Sequence, residues 1–121
     1  MREIKFRAWD KANTIMLFFS FNENTSDYPV EFPENNLSEN EGYVIMQYTG
    51  LKDKHGKEGY FDDLVQWGTS RYQVMWNSRK GIAELIKCTG LEVFQTLRIK
   101  EIERGIIIGN IYGNPELLKE G

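Results

Sequence analysis

Residues 46–65 constrain the fold of this chain most, because they carry two strand-like patterns joined by a polar turn. The residues just before the turn, 43–48, alternate aromatic and β-branched side chains with a period of two. Apolar residues stand on both sides of this alternation, which predicts a largely buried strand. Gly56 lies in the polar stretch and can supply the positive φ of a tight turn. The apolar pattern resumes at Tyr60, so the segment predicts a hairpin with a bend in its second strand.

The segment before this hairpin predicts another one. Residues 3–9 alternate as a half-buried strand, with Lys5 and Arg7 on the polar face. Residues 14–21 are apolar on both sides, so we expect this return strand to lie deeper than the first.

The segment after the central hairpin is less uniform. Residues 71–77 and 82–88 predict a further hairpin. Residues 91–97 fit a helix or a strand, and their β-branched residues favour extended structure. Residues 105–112 contain four isoleucines, which is typical of a central buried strand. Asn114 with the following proline predicts the N-terminus of a short helix, with the asparagine as its cap.

These patterns predict a mainly β protein. In 121 residues we expect one domain, residues 1–121, folded as an antiparallel barrel or strongly bent sheet with a short C-terminal helix. The single cysteine, Cys88, excludes an internal disulfide and fits a reducing cytoplasm. The apolar runs are too short for a membrane span, so we expect a cytoplasmic protein.

Charge is distributed unevenly along the chain. Between residues 12 and 51 there is no lysine or arginine, and six acidic residues fall in that range. Residues 22–42, with two prolines and five asparagines, predict a long, acidic, partly mobile excursion. The negative charge of such a segment disfavours nucleic-acid binding near it, but it does not exclude a basic face elsewhere on the protein.

Three blocks of the sequence resemble one known family. Residues 50–57 with Tyr60, Asp63 and Val65, residues 1–16, and residues 109–118 are similar to the YopX family of small phage and prophage proteins. The resemblance implies a mostly β, barrel-like fold in a bacterial host, with no established biochemical activity. Two positions depart from the family pattern. Asp62 stands where the family usually has glycine, and Gly59 stands where it has an aliphatic residue. Aspartate adopts left-handed backbone geometry less readily than glycine, so we expect the backbone to be affected there.

The candidate contact residues all lie in or near the central turn. The basic side chains there could touch phosphate, and Arg2, Lys5, Arg7 and Lys11 could extend a basic face. Together with two carboxylates the turn gives these candidate nucleic-acid or partner contacts: Lys52, Lys54, His55, Lys57, Asp62 and Asp63.

Catalytic and cofactor-binding motifs are not recognisable in the sequence. His55, Glu58, Asp62 and Asp63 could hold a divalent cation, but their spacing matches no metal motif, and polar residues in a turn are usually there because turns are solvated. We therefore assign no catalytic residue, metal ligand or cofactor, and expect a protein that is not an enzyme.

The sequence favours a binding role as the function. We expect a phage- or prophage-encoded cytoplasmic protein that acts as an adaptor or modulator of a host or phage protein. It is also a candidate homo-oligomer, through an exposed sheet edge or the acidic excursion. Two alternatives stay open: a small nucleic-acid-binding β-barrel, and a metal-dependent hydrolase.

Overall fold

Two antiparallel β-sheets make up the fold, and one of them is curled into a half-barrel. The computed structural model describes residues 4–21 and 42–119. Within these ranges, the chain forms β1 (Ile4–Asp10), β2 (Ile15–Phe21), β3 (Tyr43–Lys52), β4 (Glu58–Tyr60), β5 (Asp63–Trp67), β6 (Ser70–Asn77), β7 (Ile82–Thr89), β8 (Thr96–Arg98), a first 3₁₀ helix (Ile99–Arg104), β9 (Ile106–Asn110) and a second 3₁₀ helix (Pro115–Leu118).

The first sheet has the strand order β2-β1-β3-β4 and the second has the order β8-β7-β6-β5-β9. The predicted hairpins β1–β2 and β6–β7 are present, and every strand pair is antiparallel. The central hairpin is present only as β3 with the short β4, because the strand predicted to continue it, β5, belongs to the second sheet. The predicted mainly β, strongly bent fold is therefore confirmed. Within residues 4–21 and 42–119, the two helices lack the length and apolar character that a membrane-spanning helix needs.

The apolar core is built on the second sheet. Ile102 of the first 3₁₀ helix is fully buried against it. The cluster consists of Val65, Tyr72, Val74, Leu85, Ile102 and Ile107.

Burial in the first sheet differs from the sequence prediction. Strand β2 is an edge strand rather than a deeper one, and Phe18 is 63% exposed. Strand β3 is buried on one face only: Met46 and Tyr48 are buried, while Ile45 is half exposed. Apolar residues on both sides of a strand indicate extended structure, but they do not reveal which strand stands at the edge of a sheet.

The isoleucine-rich strand β9 is also an edge strand, which corrects its prediction as a central one. It pairs with β5 alone, and Ile107 is buried while Ile106 is partly exposed. Residues 91–95 form irregular structure, and only Thr96–Arg98 pair as a strand.

The short C-terminal helix is a single 3₁₀ turn, Pro115–Leu118. Pro115 occupies its first turn as predicted, but the Asn114 side chain does not cap it. The Asn114 Oδ1 atom instead accepts a hydrogen bond from the Asn110 N–H, at 3.2 Å.

The acidic segment 22–42 lies outside the described residues except for Gly42. Its backbone has a φ of 92°, and its carbonyl accepts a hydrogen bond from the Lys11 N–H at 3.1 Å. The predicted mobility of this segment, and any part that Arg2 plays in a basic face, concern residues that the structure does not describe.

Candidate binding sites

The central turn between β3 and β4 is held by the buried carboxylate of Asp53. Its Oδ1 accepts hydrogen bonds from the backbone N–H groups of His55 and Lys57, both at 2.9 Å. Its Oδ2 accepts one from the Ile107 N–H of β9, at 2.8 Å. Gly56 completes the turn with the predicted positive φ, 85°. The turn is therefore fixed to both sheets rather than simply solvated.

The pKa of Asp53 reflects this arrangement. Burial opposes ionisation, but the N–H groups of Ile107, Lys57 and His55 favour the carboxylate more strongly and lower the pKa below its usual value. Sequence analysis did not single out Asp53. The signal was an aspartate followed by a glycine three residues on, which is typical of a side chain that bonds its own turn.

Four of the predicted contact residues are displayed by this turn. The side chains of Lys52, Lys54, His55 and Lys57 are all exposed. The Lys54 N–H donates to the Gly105 carbonyl at 3.0 Å, which places the turn beside the end of the first 3₁₀ helix.

Asp63, in contrast, is a buried residue. Its side chain is 2% exposed and forms a 2.7 Å ion pair with Arg7, whose side chain is 5% exposed. The Asp63 Oδ2 also accepts a hydrogen bond from the Tyr60 N–H at 2.8 Å. The predictions that Arg7 belongs to a solvent face and that Asp63 belongs to a solvated turn are therefore wrong.

Arg7 is fully engaged inside the protein. One terminal nitrogen donates to the Phe61 carbonyl at 3.0 Å, and the guanidinium carbon lies 4.9 Å from the centre of the Tyr60 ring. Burial is the larger influence on Asp63 and raises the pKa of its carboxyl, although the Arg7 charge opposes that shift. No single-residue pattern predicts this pair, because Arg7 and Asp63 come from different sheets.

The Asp62 side chain bonds different residues from those that Asp63 bonds. It has a positive φ of 70°, as expected for a position where the family has glycine. Its carboxylate accepts hydrogen bonds from the Gln73 side-chain amide at 3.1 Å and from the Tyr112 hydroxyl at 3.2 Å. Burial and the Asp62 charge together raise the pKa of Tyr112 to about 12.

The metal hypothesis requires His55, Glu58, Asp62 and Asp63 to converge. Within residues 4–21 and 42–119, no three His, Cys, Asp or Glu side chains are close enough to hold a metal ion. Asp63 pairs with Arg7, Asp62 bonds Gln73 and Tyr112, and Glu58 pairs with Lys5.

A cleft of about 350 Å³ opens between the two sheets beside the Arg7–Asp63 pair. We call it the inter-sheet cleft. Strands β1, β2, β4, β5 and β9 contribute to it. Its lining residues are Arg7, Met16, Phe18, Lys57, Glu58, Tyr60, Asp63, Ile108, Gly109, Asn110 and Asn114.

A second feature that the sequence did not single out is the loop between β7 and β8. Leu91, Val93 and Phe94 are 88%, 81% and 54% exposed. We call residues 91–94 the apolar loop. Large apolar side chains that stand together in solvent mark interaction sites more often than chance.

The apolar loop is nonetheless firmly held. The Glu92 carboxylate accepts hydrogen bonds from the Thr69 N–H and hydroxyl, both at 2.9 Å, and the Glu92 N–H donates to the Ser70 hydroxyl at 2.8 Å. The Lys87 ammonium donates to the Glu92 carbonyl at 2.6 Å, and the Tyr72 hydroxyl donates to the Phe94 carbonyl at 2.8 Å. The backbone of the loop is therefore held in place at Glu92 and Phe94.

Comparisons with known proteins agree with this architecture. A crystal structure of protein EF1440 from Enterococcus faecalis superposes with a TM-score of 0.59 and 25% sequence identity, covering 96% of this chain and 98% of that one. No curated protein matches the sequence. The model of the family described as YopX protein matches residues 5–119. This match includes residues 5–16 of the first block on which the sequence resemblance rested and the whole of the other two, and the chain therefore belongs to the YopX family.

Proposed function

We propose that this protein is a non-enzymatic binding protein, encoded by a phage or prophage, that acts in the bacterial cytoplasm by contacting another protein. The observation that supports this proposal is the apolar loop, with Leu91, Val93 and Phe94 exposed on a hydrogen-bonded frame. The phage origin and the compartment rest on the family resemblance noted in the sequence.

The rigidity of the loop favours recognition. Exposing leucine, valine and phenylalanine to water is unfavourable, by about 25 cal/mol for each Å² of apolar surface. A partner that covers these side chains recovers this free energy. The hydrogen bonds of Glu92 already hold the loop before the partner binds. The loop therefore loses little conformational entropy on binding, and this favours the complex.

The surface next to the loop indicates the chemistry of the partner. A hollow of about 320 Å³ adjoins Leu91 and is lined also by Arg71 and Lys119. No aspartate or glutamate is among its lining residues. The complementary surface is therefore an apolar pocket bordered by acidic side chains.

Pull-down from bacterial lysate with the double variant Leu91→Ser, Val93→Ser tests this proposal. The matched control is Ile82→Ser, because Ile82 is also exposed on β7 but lies at the other end of the strand. We expect one nuclease-resistant partner to be retained by the wild type and the control and lost from the double variant. Direct titration with the purified partner should then show that the double variant binds at least about tenfold more weakly than the wild type. Equal retention by all three proteins would contradict the role of the loop.

The non-enzymatic part of the proposal has its own test. A turnover measured with the purified protein and abolished by changing a single carboxylate, such as Asp62→Asn, would overturn it.

Light scattering of the wild type and the double variant tests for self-association. If the wild type self-associates and the double variant does not, the partner is a second copy of this chain.

Nucleic-acid binding is the second candidate, and the exposed basic turn supports it. Lys52, Lys54 and Lys57 lie on one rigid turn. If this turn binds phosphates, nucleic-acid affinity should fall as the salt concentration rises. Substituting all three lysines by glutamine should then reduce the slope of log K against log salt concentration by up to about 2 to 3, because each lost phosphate contact removes about 0.7 to 0.9 from that slope. An unchanged slope would exclude this surface.

A further inference from the structure

We propose that the inter-sheet cleft binds a small organic anion: a carboxylate attached to an aromatic or branched apolar body. This site is separate from the apolar loop and does not depend on the proposed protein partner. Its volume, about 350 Å³, falls in the range of small-molecule sites, which combine apolar walls with a few placed polar groups.

The polar wall of the cleft offers donors. Asn110 and Asn114 have their side-chain oxygens occupied: Asn110 Oδ1 accepts from the Gly113 N–H at 2.7 Å, and Asn114 Oδ1 accepts from the Asn110 N–H at 3.2 Å. Each amide therefore keeps its NH₂ group for another acceptor. No hydrogen bond from either NH₂ group to a described residue is formed in the structure.

The charge balance of the cleft favours an anion. Arg7 and Asp63 neutralise each other at its base, and Glu58 is paired with Lys5. Lys57 also lines the cleft and forms no ion pair with a described residue. With Lys5, which pairs with Glu58 from outside the lining, the cleft has three positive charges (Lys5, Arg7 and Lys57) and two negative ones (Glu58 and Asp63), an excess of one positive charge.

Apolar side chains also line the cleft. They are Met16, Phe18 and Ile108, and the Phe18 ring meets the Tyr60 ring edge to face with their centres 5.7 Å apart. Phe18 is 63% exposed, so an apolar group in the cleft would remove part of this ring from water. The ligand that fits this lining combines a charged acceptor with an apolar body.

Phenylacetate is the probe for this site, with inorganic phosphate and phenethylamine as comparisons. Titration followed by ¹H–¹⁵N NMR should show saturable phenylacetate binding with a Kd of about 1 mM, the affinity expected for ten non-hydrogen atoms. Phosphate should bind more weakly because it lacks an apolar body, and phenethylamine should not bind at this site.

Two lysines of the same turn provide a matched pair of variants. Lys57→Gln should weaken phenylacetate binding about tenfold, the loss expected for one charge-assisted hydrogen bond. Lys54→Gln should leave it unchanged, because Lys54 is exposed on the same turn but does not line the cleft. Phe18→Ser should weaken phenylacetate without weakening phosphate.

Several outcomes would overturn the proposal. These are absence of saturable binding, equal binding of phenethylamine, equal loss from Lys54→Gln and Lys57→Gln, and phosphate binding as tight as that of phenylacetate. The variant Leu91→Ser, Val93→Ser separates this site from the proposed function. It should bind phenylacetate normally whether or not the apolar loop binds a protein.

Discussion

At the scale of single residues, the Arg7–Asp63 ion pair is the most consequential contact. Both side chains are at least 95% buried, so removing one leaves the other as an uncompensated charge. We expect Asp63→Ala to lower the free energy of unfolding by about 3 to 5 kcal/mol, measured by urea denaturation. The control is Glu58→Gln, which breaks the more exposed Lys5–Glu58 pair and should cost less than about 1 kcal/mol.

The double variant Arg7→Met, Asp63→Leu distinguishes a charge effect from a packing effect. Replacing a buried ion pair by apolar side chains is often neutral or stabilising. We therefore expect the double variant to be more stable than Asp63→Ala. If it were equally unstable, disturbed packing and the hydrogen bonds lost at the Phe61 carbonyl and the Tyr60 N–H, rather than the unpaired charge, would explain the loss.

Asp62 combines an unfavourable backbone conformation with two favourable side-chain contacts. Its φ of 70° suits glycine, but its carboxylate bonds Gln73 and Tyr112. We expect Asp62→Ala to be less stable than Asp62→Gly by about 1 kcal/mol, because both variants lose the hydrogen bonds of the carboxylate but only alanine keeps the backbone strain. Thermal melts of the two variants measure this difference. A more stable Asp62→Ala would show that the left-handed conformation is not retained.

Tyr112 reports on the same contact. Burial is the main cause of its raised pKa of about 12, and the Asp62 charge adds to it. Asp62→Asn should therefore lower the pKa of Tyr112 without returning it to its usual value. Ultraviolet titration of phenolate formation, with Tyr112→Phe used to identify the signal, makes the comparison.

At the scale of elements, strand β4 lies close to the first 3₁₀ helix because residue 59 is glycine. A Cβ atom on Gly59 would stand 2.5 Å from the Cδ1 atom of the fully buried Ile102. We expect Gly59→Ala to destabilise the protein by about 1 to 3 kcal/mol through overpacking. Chemical denaturation measures the loss. Ile102→Val in the same protein should recover part of it, and failure to do so would locate the clash elsewhere.

The sequence predicted the positions of the strands better than it predicted the burial of their side chains. Alternating side chains placed β1, β3, β6 and β7 correctly, because a period of two is a local property. The same patterns placed β2 and β9 too deep, because edge position depends on which strands pair, and only the assembled sheet fixes that. Residues 91–95 were predicted as extended, and the structure shows instead a loop held by Glu92.

At the scale of the whole molecule, Asp53 joins the two sheets. It holds the β3–β4 turn of the first sheet and accepts a hydrogen bond from Ile107 in the second. We expect Asp53→Asn to lower the free energy of unfolding at pH 7 by about 1 to 3 kcal/mol, because one charged acceptor serves three N–H groups. Hydrogen exchange should show reduced protection at the Ile107 amide.

The acid dependence of stability gives a second test of Asp53. Folding lowers the pKa of this carboxyl. Its contribution to stability is therefore complete at pH values above the unfolded-state pKa, and it is lost as the pH falls through the lower folded-state pKa. The stability difference between wild type and Asp53→Asn should therefore shrink below about pH 4. Glu103→Gln, an exposed carboxylate, serves as the control. A difference that stays constant with pH would contradict this assignment.

The candidate sites were only partly predictable from sequence. The exposed positions of Lys52, Lys54, His55 and Lys57 follow from the polar turn itself. The inter-sheet cleft does not, since its lining comes from five strands that are distant in sequence. Asp63 was placed in a solvated turn because the partner that draws it inside, Arg7, lies in the other sheet.

The long separation between bonded partners also sets the order in which the protein can form during its synthesis. Arg7 bonds the Phe61 carbonyl 54 residues later, and Asp53 bonds the Ile107 N–H at the same separation. At about 5 to 20 residues per second, each first partner waits about 3 to 10 s for its second to be translated. Arg7 of the first sheet therefore lacks its ion-pair partner Asp63 on the ribosome until β5 has emerged, and the β3–β4 turn is fixed only when β9 follows.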